Sequence, residues 1–234
     1  MKKVLKYQLL DLKTSIIVFY CIYYVILYSA YLMFFTASPE GTFYNGVDFS
    51  SVIFNFVIGL AIFKEHFWMV CQNGVSRKTF FKSSICCMLS ITAFMAFITQ
   101  VSLLITQKNT FTLIKNIYPS FHTGIVFEFV VNILFFMSVY SLCFVSGYLT
   151  AIIYYLSGKI IKIIITAGLP ILIFVLFPIS LNVFADFWRP VINVFLIITG
   201  LKSGNPLLAI LTLFIATCIL SLISYPLVKR VEVK

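Results

Sequence analysis

Apolar runs long enough to cross a bilayer follow one another along almost the whole 234-residue chain. A helix needs about 20 apolar residues to cross about 30 Å of hydrocarbon. Inside that layer no water is present to satisfy the backbone, so a spanning chain must be helical or a closed barrel. Long runs without strand-like alternation favour helices. Hydrophobic residues make up 62% of the chain and charged residues 10%, where soluble domains average about half apolar and about a quarter charged. The expected fold is therefore all-α: one polytopic membrane domain covering residues 1–234.

The runs give six expected transmembrane helices, over about 15–37, 51–63, 80–106, 124–156, 160–184 and 207–228. Residues 1–14 place Val4, Leu5, Leu9, Leu10 and Leu12 among Lys2, Lys3, Lys6 and Lys13. They read as an N-terminal amphipathic helix lying on the inner surface. The basic start leads into a full-length span with no small-residue cleavage pattern, so no cleaved leader is expected. The first span stops at Pro39, before a polar loop with Glu40 and Asn45. A polar outer segment, 107–123, carries Lys108, Lys115 and His122. Pro170 and Pro178 are expected to kink the fifth span. Residues 185–205 hold too short an apolar piece, Val191–Thr199, to cross, and read as a re-entrant or interfacial helix before the last span.

Orientation follows from the placement of Lys and Arg. Of the 17 in the chain, thirteen fall on one side: Lys2, Lys3, Lys6, Lys13, Lys64, Arg77, Lys78, Lys82, Lys159, Lys162, Lys229, Arg230 and Lys234. Lys108, Lys115, Arg189 and Lys202 fall on the other. Both termini are therefore expected on the cytoplasmic side of the cell membrane. In this setting the net charge of +10 speaks for membrane lipids as neighbours and not for nucleic acid.

Several chemistries lack their parts. His66 and His122 are far apart, so a metal site or a histidine-based catalytic pair has no neighbours. Gly158-Lys159 runs into Ile160, so the chain has no phosphate-cradling loop. The six cysteines include no CxxC and imply no disulfide framework. The seven carboxylates lie almost wholly in loops and at ends, which argues against an intramembrane protease or proton carrier. Glu128, with Asn132 one turn on, is the intramembrane candidate for a pore or gating role; a place near the outer boundary, within reach of water, Lys115 or Arg189, explains it as well. Tyr20, Tyr24, Tyr28 and Tyr31 share one face of the first span. They either line a path for an amphipathic substrate or serve as ordinary interface and packing residues.

The stretch 64–83, KEHFWMVCQNGVSRKTFFKS, reads as an inner loop with a short amphipathic helix, a turn and a restart. Asn73-Gly74 supplies the turn, Ser76 is suited to cap the next helix, and Arg77, Lys78 and Lys82 hold its start at the inner leaflet. On its residues alone it is either a well-made loop or a docking surface. The pattern Asn73-Gly74-Val75-Ser76-Arg77-Lys78-Thr79-Phe80-Phe81, placed after the second of six spans, resembles bacterial ABC transporter permeases of the type-2, ABCG-like class. The basic amphipathic start, the short first outer loop and the broken segment before the last span are similar too. That resemblance implies a coupling helix docking on a separate cytoplasmic ATPase. It would place a coupling region over 64–76 and the contacts at Lys64, Glu65, His66 and Phe67, with Asn73, Gly74, Ser76 and Arg77 forming the turn. It implies that ATP and magnesium are held by the partner, that this chain has no cofactor and catalyses nothing, and that a second permease copy, more simply identical than different, completes the pathway. The implied function is export of an amphipathic substrate, such as a toxin, an antimicrobial peptide or a lipid-like molecule. The alternative is a membrane sensor or assembly factor that transports nothing.

Overall fold

The computed structural model describes residues 1–37, 46–105, 117–118, 124–168, 172 and 177–231. The side chains of Tyr31, Lys64 and Glu65 are outside that description. So are the expected stop at Pro39, the loop residues Glu40 and Asn45, the outer residues Lys108, Lys115 and His122, the kink at Pro170, and Glu232 and Lys234. The described residues are all-helical, without strands. Among the described residues, five helices are long and apolar enough to cross a membrane: α1 (Lys2–Ala37), α2 (Val47–Gln72), α3 (Arg77–Ile105), α4 (Ile125–Leu156) and α8 (Pro206–Arg230).

Between α4 and α8 the described residues form α5 (Lys159–Ile163), a π-helical turn (Ile164–Gly168), α6 (Phe177–Val183) and α7 (Ala185–Ile198); the middle of the expected fifth span, 169–171 and 173–176, lies outside the described residues. Pro178 lies in α6, and residues 173–176 just before it are outside the described residues, so the kink expected there falls outside them as well. Helix α7 begins six residues before the apolar piece that marked it in the sequence. It is 14 residues long, about 21 Å. Asp186, Arg189 and Asn193 occupy one face, while Phe187, Val191, Phe195 and Ile198 line another.

The first two sequence boundaries also change. Residues 1–14 are not a separate surface helix; they continue without a break into the first span, giving a 36-residue α1 about 54 Å long. Likewise α2 runs through Lys64-Glu65-His66 to Gln72, so the expected short coupling helix is the last part of α2 itself. Both corrections have one cause. The inner part of α1 lies against the ends of α2 and α3, and their polar side chains meet each other instead of water. Asp11 Oδ2 is 2.8 Å from His66 Nε2. Gln8, fully buried, donates to Ser84 (3.1 Å) and accepts from Ser83 (2.8 Å).

At the centre of the bundle α4 packs against α2, α3 and α8. Its crossing with α2 is made by two glycines. A Cβ on Gly59 would collide with the Phe144 carbonyl oxygen, and one on Gly147 with the Phe56 carbonyl oxygen. The two backbones meet reciprocally, as small residues allow in apolar surroundings where van der Waals packing must replace the hydrophobic drive. Below this crossing an aromatic cluster fills the core. Phe63 stacks on Phe67 (4.9 Å between centroids) and meets Tyr148 edge-on (5.6 Å).

Cross-helix contacts sort the helix ends. Asp11 with His66 and Gln8 with Ser83 put the start of α1, the end of α2 and the start of α3 together. Trp68 donates to the Tyr155 hydroxyl, which adds the end of α4. Arg77 donates to the Lys229 carbonyl, which adds the end of α8. The chain thus finishes both α4 and α8 at this basic end. At the far end the Tyr118 hydroxyl donates to the Thr199 carbonyl (2.7 Å), tying the α7–α8 corner to the α3–α4 connection.

Candidate functional site

The basic end of the bundle offers the most concentrated chemistry on the molecule. Lys2, Lys3, Lys6, Lys13, Lys78, Lys82, Lys159, Lys229 and Arg230 are exposed there, and Arg77 and Lys162 are half-exposed. Among the described residues, none of these cations pairs with a carboxylate; the ion pairs are Asp11–His66 and, within α7, Asp186–Arg189 (3.3 Å).

From this surface projects the α2–α3 turn, and its residues explain its shape. Asn73 closes α2: its N–H and its side-chain Nδ2 both donate to the Met69 carbonyl, at 3.2 and 2.7 Å. Gly74 takes φ 75°, a left-handed conformation that costs a Cβ-bearing residue energy, and its N–H donates to Cys71 O at 3.0 Å. Ser76 then caps α3 as its sequence position leads one to expect. Thr79 N–H donates to Ser76 Oγ at 3.3 Å, and the two hydroxyls lie 2.9 Å apart. The turn thus holds its shape largely through its own residues, and Gln72, Asn73, Gly74, Ser76 and Lys78 remain exposed.

The residues expected to touch a partner divide. Asn73, Gly74 and Ser76 form the projecting turn. Arg77 is turned along the bundle to the last turn of α8. His66 is 1% exposed and Phe67 is equally buried; both face inward, His66 toward Asp11 and the Tyr7 ring (5.2 Å, edge-on), Phe67 toward Phe63 and Phe80. His66 therefore holds α1 to α2 and presents nothing to solvent. Sequence reasoning missed this because its partner, Asp11, is 55 residues away; the available signal was that Gln8 and Asp11 interrupt the apolar face of α1.

The described tyrosines of the stripe differ in their surroundings. Tyr20 is buried and donates to the Met95 carbonyl (3.4 Å). The Tyr24 hydroxyl meets Ser102, while Tyr28 points outward, 64% exposed. At least the inner two are therefore ties between α1 and α3. Glu128 sits in the first turn of α4, where a helix N-terminus favours negative charge; it and Asn132 are half-exposed. A polar layer that the sequence did not single out lies deeper. The Thr99 and Tyr140 hydroxyls are 2.9 Å apart, and Asn55 donates to the Ser51 carbonyl (2.7 Å) and to Met95 Sδ (3.4 Å). Ser51, Asn55, Thr99 and Tyr140 are all fully buried. Comparison with family models, with curated proteins and with solved structures finds no match for this chain.

Two grooves flank α3. One, about 230 Å3, lies against α1; the other, about 480 Å3, lies against α8. Both are on the outside of the bundle. Among the described residues no group of three or more His, Cys, Asp or Glu side chains is placed to hold a metal.

Proposed function

We propose that this chain is the membrane-spanning permease subunit of an ATP-driven exporter, with six passes and both termini in the cytoplasm, working with a separate ATPase and a second permease copy. The observation that carries this reading is the mechanical linkage of the α2–α3 turn. The turn is exposed, internally capped and joined to four helices. It continues directly into α2 and α3, reaches α8 through Arg77 and Lys229, and is close to the Asp11–His66 and Gln8–Ser83/Ser84 ties that hold α1. A push on Asn73 to Lys78 moves this end as a body. Such a linkage suits a subunit whose conformations are biased by a nucleotide-binding partner, which can do so only by its different affinity for each state.

The sixth pass is supplied by residues 157–205, and α7 with its polar face lies at the outer interface. With thirteen cations on the turn's side, that side is cytoplasmic. The docking surface is the turn itself, Gln72 to Lys78, with an acidic partner face opposite. The export path runs between two copies, and its substrate is an amphipathic peptide or a lipid-like molecule.

The test is purification of the tagged chain from its native membrane in mild detergent, with quantification of co-eluting proteins. A stoichiometric ATPase is expected, lost on Asn73→Lys/Lys78→Glu substitution while chain abundance and elution volume stay unchanged. A chain that elutes alone or with a non-ATPase partner in several detergents overturns the permease reading in favour of a membrane sensor.

A further inference from the structure

We propose that the groove between α3 and α8 holds one anionic phospholipid of the leaflet at the basic end, with an acyl chain along the groove and the phosphate among the cations at its mouth.

The groove, about 480 Å3, runs from Phe214 to Tyr225 on α8 and from Phe81 to Leu89 on α3, with Ser141 of α4 in its lining. Eleven residues of α8 rise about 16 Å, close to the half-thickness of about 15 Å that one leaflet contributes to the hydrocarbon core. The wall is mostly apolar. Of its three hydroxyl residues, Ser141, Thr217 and Ser221, two are spent on their own helices: Thr217 Oγ1 donates to Leu213 O (2.8 Å) and Ser141 Oγ to Ser138 O (2.9 Å).

The basic end of the groove is built differently. Phe81 and Tyr225 close it, their ring centroids 5.3 Å apart. Lys229 Nζ lies 4.2 Å from the Tyr225 centroid, and Arg77 donates to the Lys229 carbonyl. Lys78 and Arg230 are exposed beside them. Arg77 has further N–H donors after that one bond, and none of the four cations pairs with a carboxylate among the described residues. A greasy trough one leaflet deep, opening onto unneutralised charge, matches a lipid with a negative headgroup better than a zwitterionic one. The smaller α1–α3 groove has Lys13 as the cation in its lining and serves as an internal comparison.

Native mass spectrometry of the full chain in an uncharged detergent tests this, with phosphatidylglycerol and phosphatidylcholine of identical acyl chains added at equal concentration. One phosphatidylglycerol adduct is expected to dominate, at least tenfold over phosphatidylcholine. Lys229→Gln and Arg230→Gln should each weaken it about fivefold, from about 1 kcal/mol per cation near the surface. Lys2→Gln/Lys3→Gln, with a similar charge change away from the groove, should leave it in place. Ser221→Trp should abolish the adduct with every charge intact. Leu222→Trp, at a rim position 72% exposed, gives the same obstruction without disturbing the core. Wild-type elution volume and melting temperature confirm that each variant is folded. Equal adducts of the two lipids, an adduct indifferent to both tryptophans, or a second copy of the chain crosslinked through Leu222 in place of lipid would each overturn the assignment.

Discussion

The α2–α4 crossing and the α5–α7 segment are built from similar residues and have opposite surroundings. At the crossing, Ile62, Phe63, Tyr140 and Ile152 are fully buried and two glycines let the backbones touch. In the other segment, Ile160, Ile163, Phe184, Phe187 and Phe195 are each 60–75% exposed. Hydrophobicity alone therefore does not say which residues form the core of a membrane protein. In lipid, an apolar side chain is as comfortable facing a tail as facing a helix, so close packing and polar ties decide what stays together. The first region has both. The second is tied at its end, where the Tyr118 hydroxyl meets the Thr199 carbonyl.

The largest expected effect comes from breaking the close approach. Gly147→Leu forces the backbones of α2 and α4 apart and should cost more than about 3 kcal/mol, seen as loss of the monodisperse peak in detergent. Gly59→Leu should do the same, and an unchanged melting temperature for both would mean that the crossing is not the fold's keystone. His66→Leu comes next. It strips the buried partner from Asp11 and loosens α1, at about 1–3 kcal/mol, read as faster proteolysis before Ile16 with the α2–α4 core still protected. Protection of residues 1–15 unchanged from wild type would contradict that tie.

Smaller still is Tyr118→Phe. Burial pushes the Tyr118 phenol above its ordinary pKa, so it is a neutral donor near pH 7, and its loss should cost about 0.5–1.5 kcal/mol. Hydrogen exchange should rise over 185–205 and stay flat in α2. The smallest effect on stability belongs to Phe195→Ser on the exposed face of α7, within about 0.5 kcal/mol in detergent. A large destabilisation there would show that α7 belongs to the packed core after all, and would erase the contrast between the two regions.

Much of this architecture can be read from the residues. The helical class, three of the long helices to within a few residues, the Asn73-Gly74 turn and the Ser76 cap follow from local rules about span length, glycine conformation and capping. Asn205-Pro206 opens α8 on the same grounds, the Asn205 side chain accepting from Leu207 N–H (3.0 Å). The candidate site was less legible. Its turn is a local structure and was visible. His66 was not, because a histidine beside a lysine and a glutamate looks like a surface residue until its distant acid is known.

By itself, then, the sequence determined that these residues form apolar helices, where most of them begin and end, and that positive charge gathers at one end. Each follows from the chemistry of a few neighbouring residues. The tertiary structure decided that residues 1–14 continue the first span, that α2 passes through its polar cluster, and that Gly59 and Gly147 are contact points. These depend on which side chains 50 to 90 positions apart come within reach, and a polar group in the chain is an ending or a fastener according to whether a partner waits for it.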